Sequence, residues 1–262
     1  MQHQAIGIFD SGIGGTSIWK EISLALPKEN TIYLADSKNA PYGKRSKDEI
    51  IALSIKNTEK LLDLNCKIIV VACNTATTNA IKILRSSYDV PFIGIEPAIK
   101  PAAIQTKTKK VGVLATKGTL SSELFAKTSD LHANDIEVIE VVGTGLVELI
   151  EDGKIDSPEM YTLLTSYITP MIKKNIDHLV LGCTHYPYLI PSIKKILPDN
   201  VTIIDSGEAV ARQTKAVLKT NNLLNNTLET GTHTFYTNHD IEILKSILKH
   251  NNSSLHIRRL TF

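Results

Sequence analysis

The stretch Ile68-Ile69-Val70-Val71-Ala72-Cys73-Asn74-Thr75 decides the fold: a short aliphatic run stops at a thiol, and a polar turn begins. A bounded apolar run of this length reads as a strand buried on both faces, the kind found in parallel sheets. The pattern returns at Leu179-Val180-Leu181-Gly182-Cys183-Thr184-His185, with the second cysteine 110 residues after the first. In open α/β sheets chemistry gathers at the carboxyl ends of strands. Both thiols therefore fall where ligands bind, and a matched pair suits work on a substrate from two sides.

Outward from this stretch, strand-like and helix-like segments alternate. Upstream lie a strand at Ile6-Gly7-Ile8-Phe9, the turn Asp10-Ser11-Gly12-Ile13-Gly14-Gly15 and a helix from Thr16 to Leu26. Thr31–Ala35 reads as a strand, and 36–45 as a polar loop containing Pro41-Tyr42-Gly43. Ser46 opens a helix to about Asn65, with Glu49 completing a capping box. Downstream follow a helix over Thr75–Ser87 and a strand at Phe92–Ile95. Such alternation means βαβ units and a mostly parallel sheet.

The pattern then recurs. Val111-Gly112-Val113-Leu114-Ala115 echoes Ile6-Gly7-Ile8-Phe9-Asp10 at an offset of 105, and Ile203-Ile204-Asp205-Ser206 echoes Ile93-Gly94-Ile95-Glu96 at about 110. Three echoes in one order predict an internal duplication. The expected fold is α/β: two pseudo-symmetric domains, each a mostly parallel sheet flanked by helices, with the active site in the cleft between them. The expected boundaries are 1–96 plus 207–262 for the first domain and 97–206 for the second. Asp205-Ser206-Gly207-Glu208 opens a returning helix to about Lys219, and 220–230 reads as a connector. Late strands at Thr234-Phe235-Tyr236 and Leu255-His256-Ile257 bracket a helix from Asp240 to Lys249.

Composition narrows the function. The 262 residues are 42% apolar and 21% charged, ordinary for a soluble globular protein. A formal charge of +2 without a basic block argues against nucleic-acid and membrane partners. No apolar stretch approaches the roughly 18–20 residues that span a bilayer. Met1-Gln2-His3-Gln4 leads straight into a strand, so no signal peptide is expected. Three cysteines fit a reducing cytosol better than a disulfide scaffold.

Each motif also has a plain structural reading. The glycine turn at 10–15 is no dinucleotide fingerprint, because Ser17 stands where the third glycine belongs, and no Gly-Lys-Ser follows. What remains is a turn whose N–H groups suit a small anion such as a carboxylate; Asp10 reads equally as a helix cap. Cys73 opens a strand-to-helix turn, where a helix N-terminus is expected to lower a thiol pKa from its ordinary ~8.5. Taken singly it could be a small buried hydrophobe, and Cys66 is read as only that. Cys183-Thr184-His185-Tyr186-Pro187 places an imidazole two residues from a thiol, an arrangement that activates a nucleophile or base; a capped helix start is the plain alternative. Without CxxC or HxxxH partners no zinc site is expected. Tyr42 by itself is turn chemistry.

Taken together, these segments resemble the glutamate racemases of the cofactor-independent aspartate/glutamate racemase superfamily. The matches are Asp10–Gly15, Pro41-Tyr42-Gly43, Ala72-Cys73-Asn74-Thr75-Ala76, Gly182–Pro187 and Asp205-Ser206-Gly207, in the family's order. The resemblance implies an isomerase that interconverts L- and D-glutamate without cofactor or metal. It further implies a cytoplasmic homodimer supplying D-glutamate for peptidoglycan synthesis, cell-wall biogenesis and cell shape. Inversion needs a base on one face of Cα and an acid on the other, and Cys73 and Cys183 would be that pair. Asp10 would assist Cys73, and His185 would assist Cys183. Asp10, Ser11, Pro41, Tyr42, Gly43, Asn74, Thr75, Thr184 and His185 would hold the substrate, and Cys73 would act on D-glutamate. A further acid of the family corresponds to Glu151, with Glu148 and Asp152 as competitors, because Val141-Val142-Gly143-Thr144-Gly145 departs from the family's Cys-Pro version. The segment Ile95–Ala102 resembles the enteric branch, whose activation by a peptidoglycan precursor is not expected in a chain that reaches its first strand within five residues. Rival readings are an aspartate-specific sister racemase, a thiol hydrolase built on Cys183 and His185, and a non-catalytic binding protein.

Overall fold

The computed structural model describes residues 2–132, 135–248 and 255–262. Its elements are β1 (Ile6–Asp10), α1 (Thr16–Ala25), β2 (Thr31–Ala35), α2 (Lys47–Asp63), β3 (Ile68–Val71), α3 (Asn74–Ser87), β4 (Phe92–Gly94) and α4 (Ile99–Gln105). There follow β5 (Lys110–Ala115), α5 (Lys117–Leu120), α6 (Glu123–His132), β6 (Glu137–Val142), α7 (Leu146–Glu151), α8 (Pro158–Lys173) and β7 (His178–Gly182). The last are α9 (Ile190–Ile193), β8 (Thr202–Ile204), α10 (Gly207–Thr220), β9 (His233–Thr237), α11 (Ile241–Leu248) and β10 (Leu255–Arg259). The expected helix end at Lys249 and the opening Met1 lie outside the described residues.

Two parallel sheets result, in the orders β10-β9-β2-β1-β3-β4 and β6-β5-β7-β8. Their shared nucleus is the same: β2-β1-β3-β4 in one and β6-β5-β7-β8 in the other. The duplication shows in the register, since Ile6 pairs with Ile68 and Val111 with His178, the two offsets read from sequence. The third echo is one residue out. Val70 pairs with Ile93, but Val180 pairs with Ile204, so Ile93 matches Ile204 and not Ile203.

β1, β3 and β7 are buried along their whole length, and alternate residues feed opposite faces of each sheet. Ile6, Ile8, Ile68 and Val70 join Leu114, Leu179 and Leu181 in one apolar cluster shared by both sheets, with α7, α8 and α10 packed into it. Phe9, Ile69 and Val71 face the other way, under α2 and α3. Val111, Val113 and Val180 form the matching outer layer of the second sheet. Burying each such side chain contributes about 1.5–3 kcal/mol. α10 returns to pack on α1 and β4 of the first half. The capping box is present: the Ser46 hydroxyl accepts the Glu49 N–H at 3.3 Å, and the Glu49 carboxylate accepts the Ser46 N–H at 2.9 Å.

Two local expectations change. The loop over 36–45 contains 3-10 turns at Ser37–Asn39 and Tyr42–Lys44. After Cys183 the helix start is a 3-10 turn over Tyr186–Leu189, and only the four-residue α9 follows it, with Pro187 and Pro191 inside them.

Candidate active site

Both cysteines lie just past the carboxyl ends of central strands, on the side where the two halves meet. Cys73 follows β3 by one residue and caps α3, its Sγ accepting the Ala76 N–H at 3.4 Å. Cys183 follows β7 directly. They are 5% and 7% exposed, so neither thiol is open to bulk solvent in this state. Cys66 is buried too, against Gly7 at the foot of the sheet, and burial pushes its thiol up to about 12.

The helix end does not lower the Cys73 pKa. Burial raises it, and the nearby Asp10 charge and Cys183 add to that; N–H donors from Ala76 and Ser11 work in the opposite sense and lose. Water exclusion outweighs two N–H bonds here, since a buried anion forfeits its whole hydration shell.

Asp10 ends β1, fully buried. Its Oδ1 accepts the Gly12 N–H and its Oδ2 accepts the Thr184 hydroxyl, both at 2.9 Å, so it bridges the halves. Burial lifts this carboxyl from 3.8 to about 6, against the pull of His185 and the Gly12 N–H.

On the other side, His185 Nδ1 lies 3.7 Å from Cys183 Sγ and its Nε2 lies 2.6 Å from Glu151 Oε1. Burial works against a charge on this imidazole, but the bonds to Cys183 and Glu151 outweigh it and raise its pKa well above the ordinary value. Of the three competing acids, Glu151 is the one that reaches His185. Glu148 pairs with Lys44 across the cleft, and Asp152 with Lys154 at 3.4 Å.

The glycine turn at 10–15 holds an anion, but the chain's own. The Ile13 N–H donates to Glu151 Oε1 at 2.7 Å, and the Gly12 N–H is taken by Asp10. The glycines serve close approach. A Cβ at Gly12 would run into the Glu151 carboxylate, and one at Gly14 into the His185 ring.

Tyr42 is buried, its hydroxyl donating to Asp36 at 2.5 Å and accepting from Asn57 at 2.9 Å. Its side chain is thus committed to the fold, which leaves the backbone of Pro41-Tyr42-Gly43 to face the cleft. Gly43 abuts Thr116 there. Asn74 is 3% exposed, and neither its Oδ1 nor its Nδ2 has a hydrogen-bond partner. Buried polar atoms are nearly always bonded, which makes this unpaired amide beside Cys73 a candidate ligand contact. Ser11 is buried one residue from Asp10.

Thr75 meets two residues that the sequence reading omitted. Its hydroxyl lies 2.8 Å from that of Thr116 and 3.2 Å from that of Thr119. The signal was available, because Thr116 stands to Ser11 as Val111 stands to Ile6. Among the described residues no group of three or more His, Cys, Asp or Glu could hold a metal ion, and no helix is long and apolar enough to cross a membrane.

Comparison with known proteins follows the same lines. The family model described as Asp/Glu/Hydantoin racemase matches residues 9–214. A glutamate racemase of Herpetosiphon aurantiacus is 45% identical over 240 residues, covering 92% of this chain and 94% of its own. Among solved structures, a glutamate racemase isoform from Bacillus anthracis superposes with a TM-score of 0.87 at 31% identity, over 100% of this chain and 99% of that one. The glutamate racemase of Francisella tularensis, solved in complex with D-glutamate, gives 0.85 at 30% identity, over 100% and 98%.

Proposed function

The chain belongs to the Asp/Glu/hydantoin racemase family, and from that premise we propose that it interconverts L- and D-glutamate by two-thiol proton transfer at Cα. One observation carries the mechanism: two buried thiols end equivalent strands of two like sheets, each with its own ionisable neighbour. The choice of glutamate follows the relatives just described.

The roles proposed for the two thiols follow the family resemblance. Burial favours the thiol at Cys73, and a charged His185 stands beside Cys183 as its hydrogen-bond partner. Cys183 thiolate takes the Cα proton of L-glutamate, and the Cys73 thiol gives its own proton to the opposite face, yielding D-glutamate. The reverse reaction exchanges the roles, with Cys73 acting on D-glutamate. The Cα–H bond is a very weak acid, so fixed donors must stabilise the carbanion-like transition state. In this reading the free amide of Asn74, the hydroxyls of Ser11, Thr75 and Thr184 and the backbone of Pro41-Tyr42-Gly43 hold the carboxylates and ammonium. Asp10 tends the Cys73 side, and Glu151 keeps His185 charged.

The proposal includes the division of the chain into 1–96 with 207–262 and 97–206, supported by the packing of α10 on α1. It also includes assembly as a homodimer in the cytoplasm and a role in peptidoglycan synthesis. Circular dichroism of L-glutamate and L-aspartate, each incubated with purified protein, is the test. Decay of the glutamate signal to zero with aspartate unchanged is expected; decay of aspartate alone, or of neither, overturns the reading.

A further inference from the structure

The acid that holds His185 is itself held from across the cleft. Glu151 and His185 both belong to the second half, on α7 and just after β7. The two remaining donors to Glu151 come from the first half: the Ile13 N–H to Oε1 at 2.7 Å, and the Ser37 hydroxyl, just past β2, to Oε2 at 2.9 Å. The thiols are closed off, so the halves must part to admit a substrate. Parting removes Ser37 and Ile13 from Glu151 while leaving His185 beside it. An unclamped carboxylate on a six-residue helix can rotate, and His185 loses its fixed partner.

We propose that Ser37 is a positioning residue: reaching across the cleft, it clamps the Glu151 carboxylate against His185, so that Cys183 is set for proton transfer only in the closed enzyme. The plain reading is that Ser37 merely ties the two halves together. Against it, Ser37 is half-buried, and it lines a cavity of about 280 Å³ with Ile13, Pro41, Glu148 and Glu151. Its hydroxyl adds little packing there. The bond goes to the one carboxylate that bonds the imidazole, and not to either neighbouring acid. This inference rests on the two-thiol reading above.

Thr and Val match in shape and differ in one hydroxyl, so Ser37→Thr and Ser37→Val separate the hydrogen bond from bulk, and the valine also keeps water from standing in. The expected result is kcat within about twofold of wild type for S37T and about tenfold lower for S37V, with KM within about twofold in both, as for loss of a hydrogen bond to a charged group. The second readout is the downfield proton NMR signal of the His185 Nε2–H, assigned by its loss in His185→Gln. It is expected to be sharp in wild type and S37T and broadened by exchange with water in S37V. Equal kcat in the two variants, or an unchanged signal in S37V, overturns the clamp. The NMR readout needs no turnover. If wild type fails to racemise glutamate the functional reading falls, yet the signal still decides whether Ser37 fixes Glu151 and His185.

Discussion

Cys73 and Cys183 occupy equivalent strand ends, yet almost nothing around them is alike. By register, Ala115 stands where the first half has Asp10, and Thr75 stands where the second has His185. Cys73 caps a 14-residue helix and is held neutral by burial and by Asp10. Cys183 opens onto a 3-10 turn and faces an imidazole whose charge Glu151 supports. Duplication accounts for the two positions; divergence of single neighbours gave the two thiols different surroundings.

The comparison breaks most sharply at the sulfurs. Cys73→Ser and Cys183→Ser should each cost about 10³-fold or more in racemisation, near the upper range for a positioned acid or base, as read by circular dichroism of L-glutamate. Near-normal activity in either would remove the pairing. Next come the neighbours of Cys183: His185→Gln is expected to lower kcat about 100-fold and Glu151→Gln about tenfold. The smaller loss for Glu151 reflects action through His185. Gly14→Ala should resemble a weak His185 variant, because the added Cβ displaces the ring; Gly153→Ala, with open space at its Cβ and φ +72°, should lower stability without touching kcat. Steady-state kinetics with urea titration would separate the two.

The smallest effect concerns Asp10 and appears in stability. Its carboxyl titrates near 6 in the fold against 3.8 outside it, because burial disfavours the charge. The folded state therefore binds this proton more tightly and gives up stability as pH rises from about 4 to about 6, remaining at the lower level above. Relative to wild type, Asp10→Asn should then gain up to about 3 kcal/mol of stability between pH 3 and pH 8, while racemising poorly. Urea unfolding at the two pH values checks the sign; a difference between variant and wild type that does not change with pH would mean that Asp10 ionises without penalty.

The nucleus of the fold was legible because its strands are doubly buried and therefore spelled as unbroken apolar runs. β6 was not: Glu137-Val138-Ile139-Glu140 is an edge strand with two glutamates among its first four residues. The thiols and His185 were legible as strand-end residues. The glycine turn misled, since its anion comes from Glu151, 138 residues away from Ile13, and no local pattern reports such a partner. Nor does any local pattern report that the Tyr42 hydroxyl goes to Asp36 and Asn57, leaving only its backbone to the cleft. Ser37 gave no signal, because a lone serine in a polar loop looks like any other.

Two opposed thiols are tested most directly by running the reaction in deuterium oxide from L-glutamate and reading Cα by mass spectrometry at low conversion. With separate base and acid, every D-glutamate molecule carries solvent deuterium at Cα, while the remaining L-glutamate is still unlabelled. D-glutamate that keeps its original hydrogen would mean that one group removes and returns the same proton, and Cys73 and Cys183 would not be the pair.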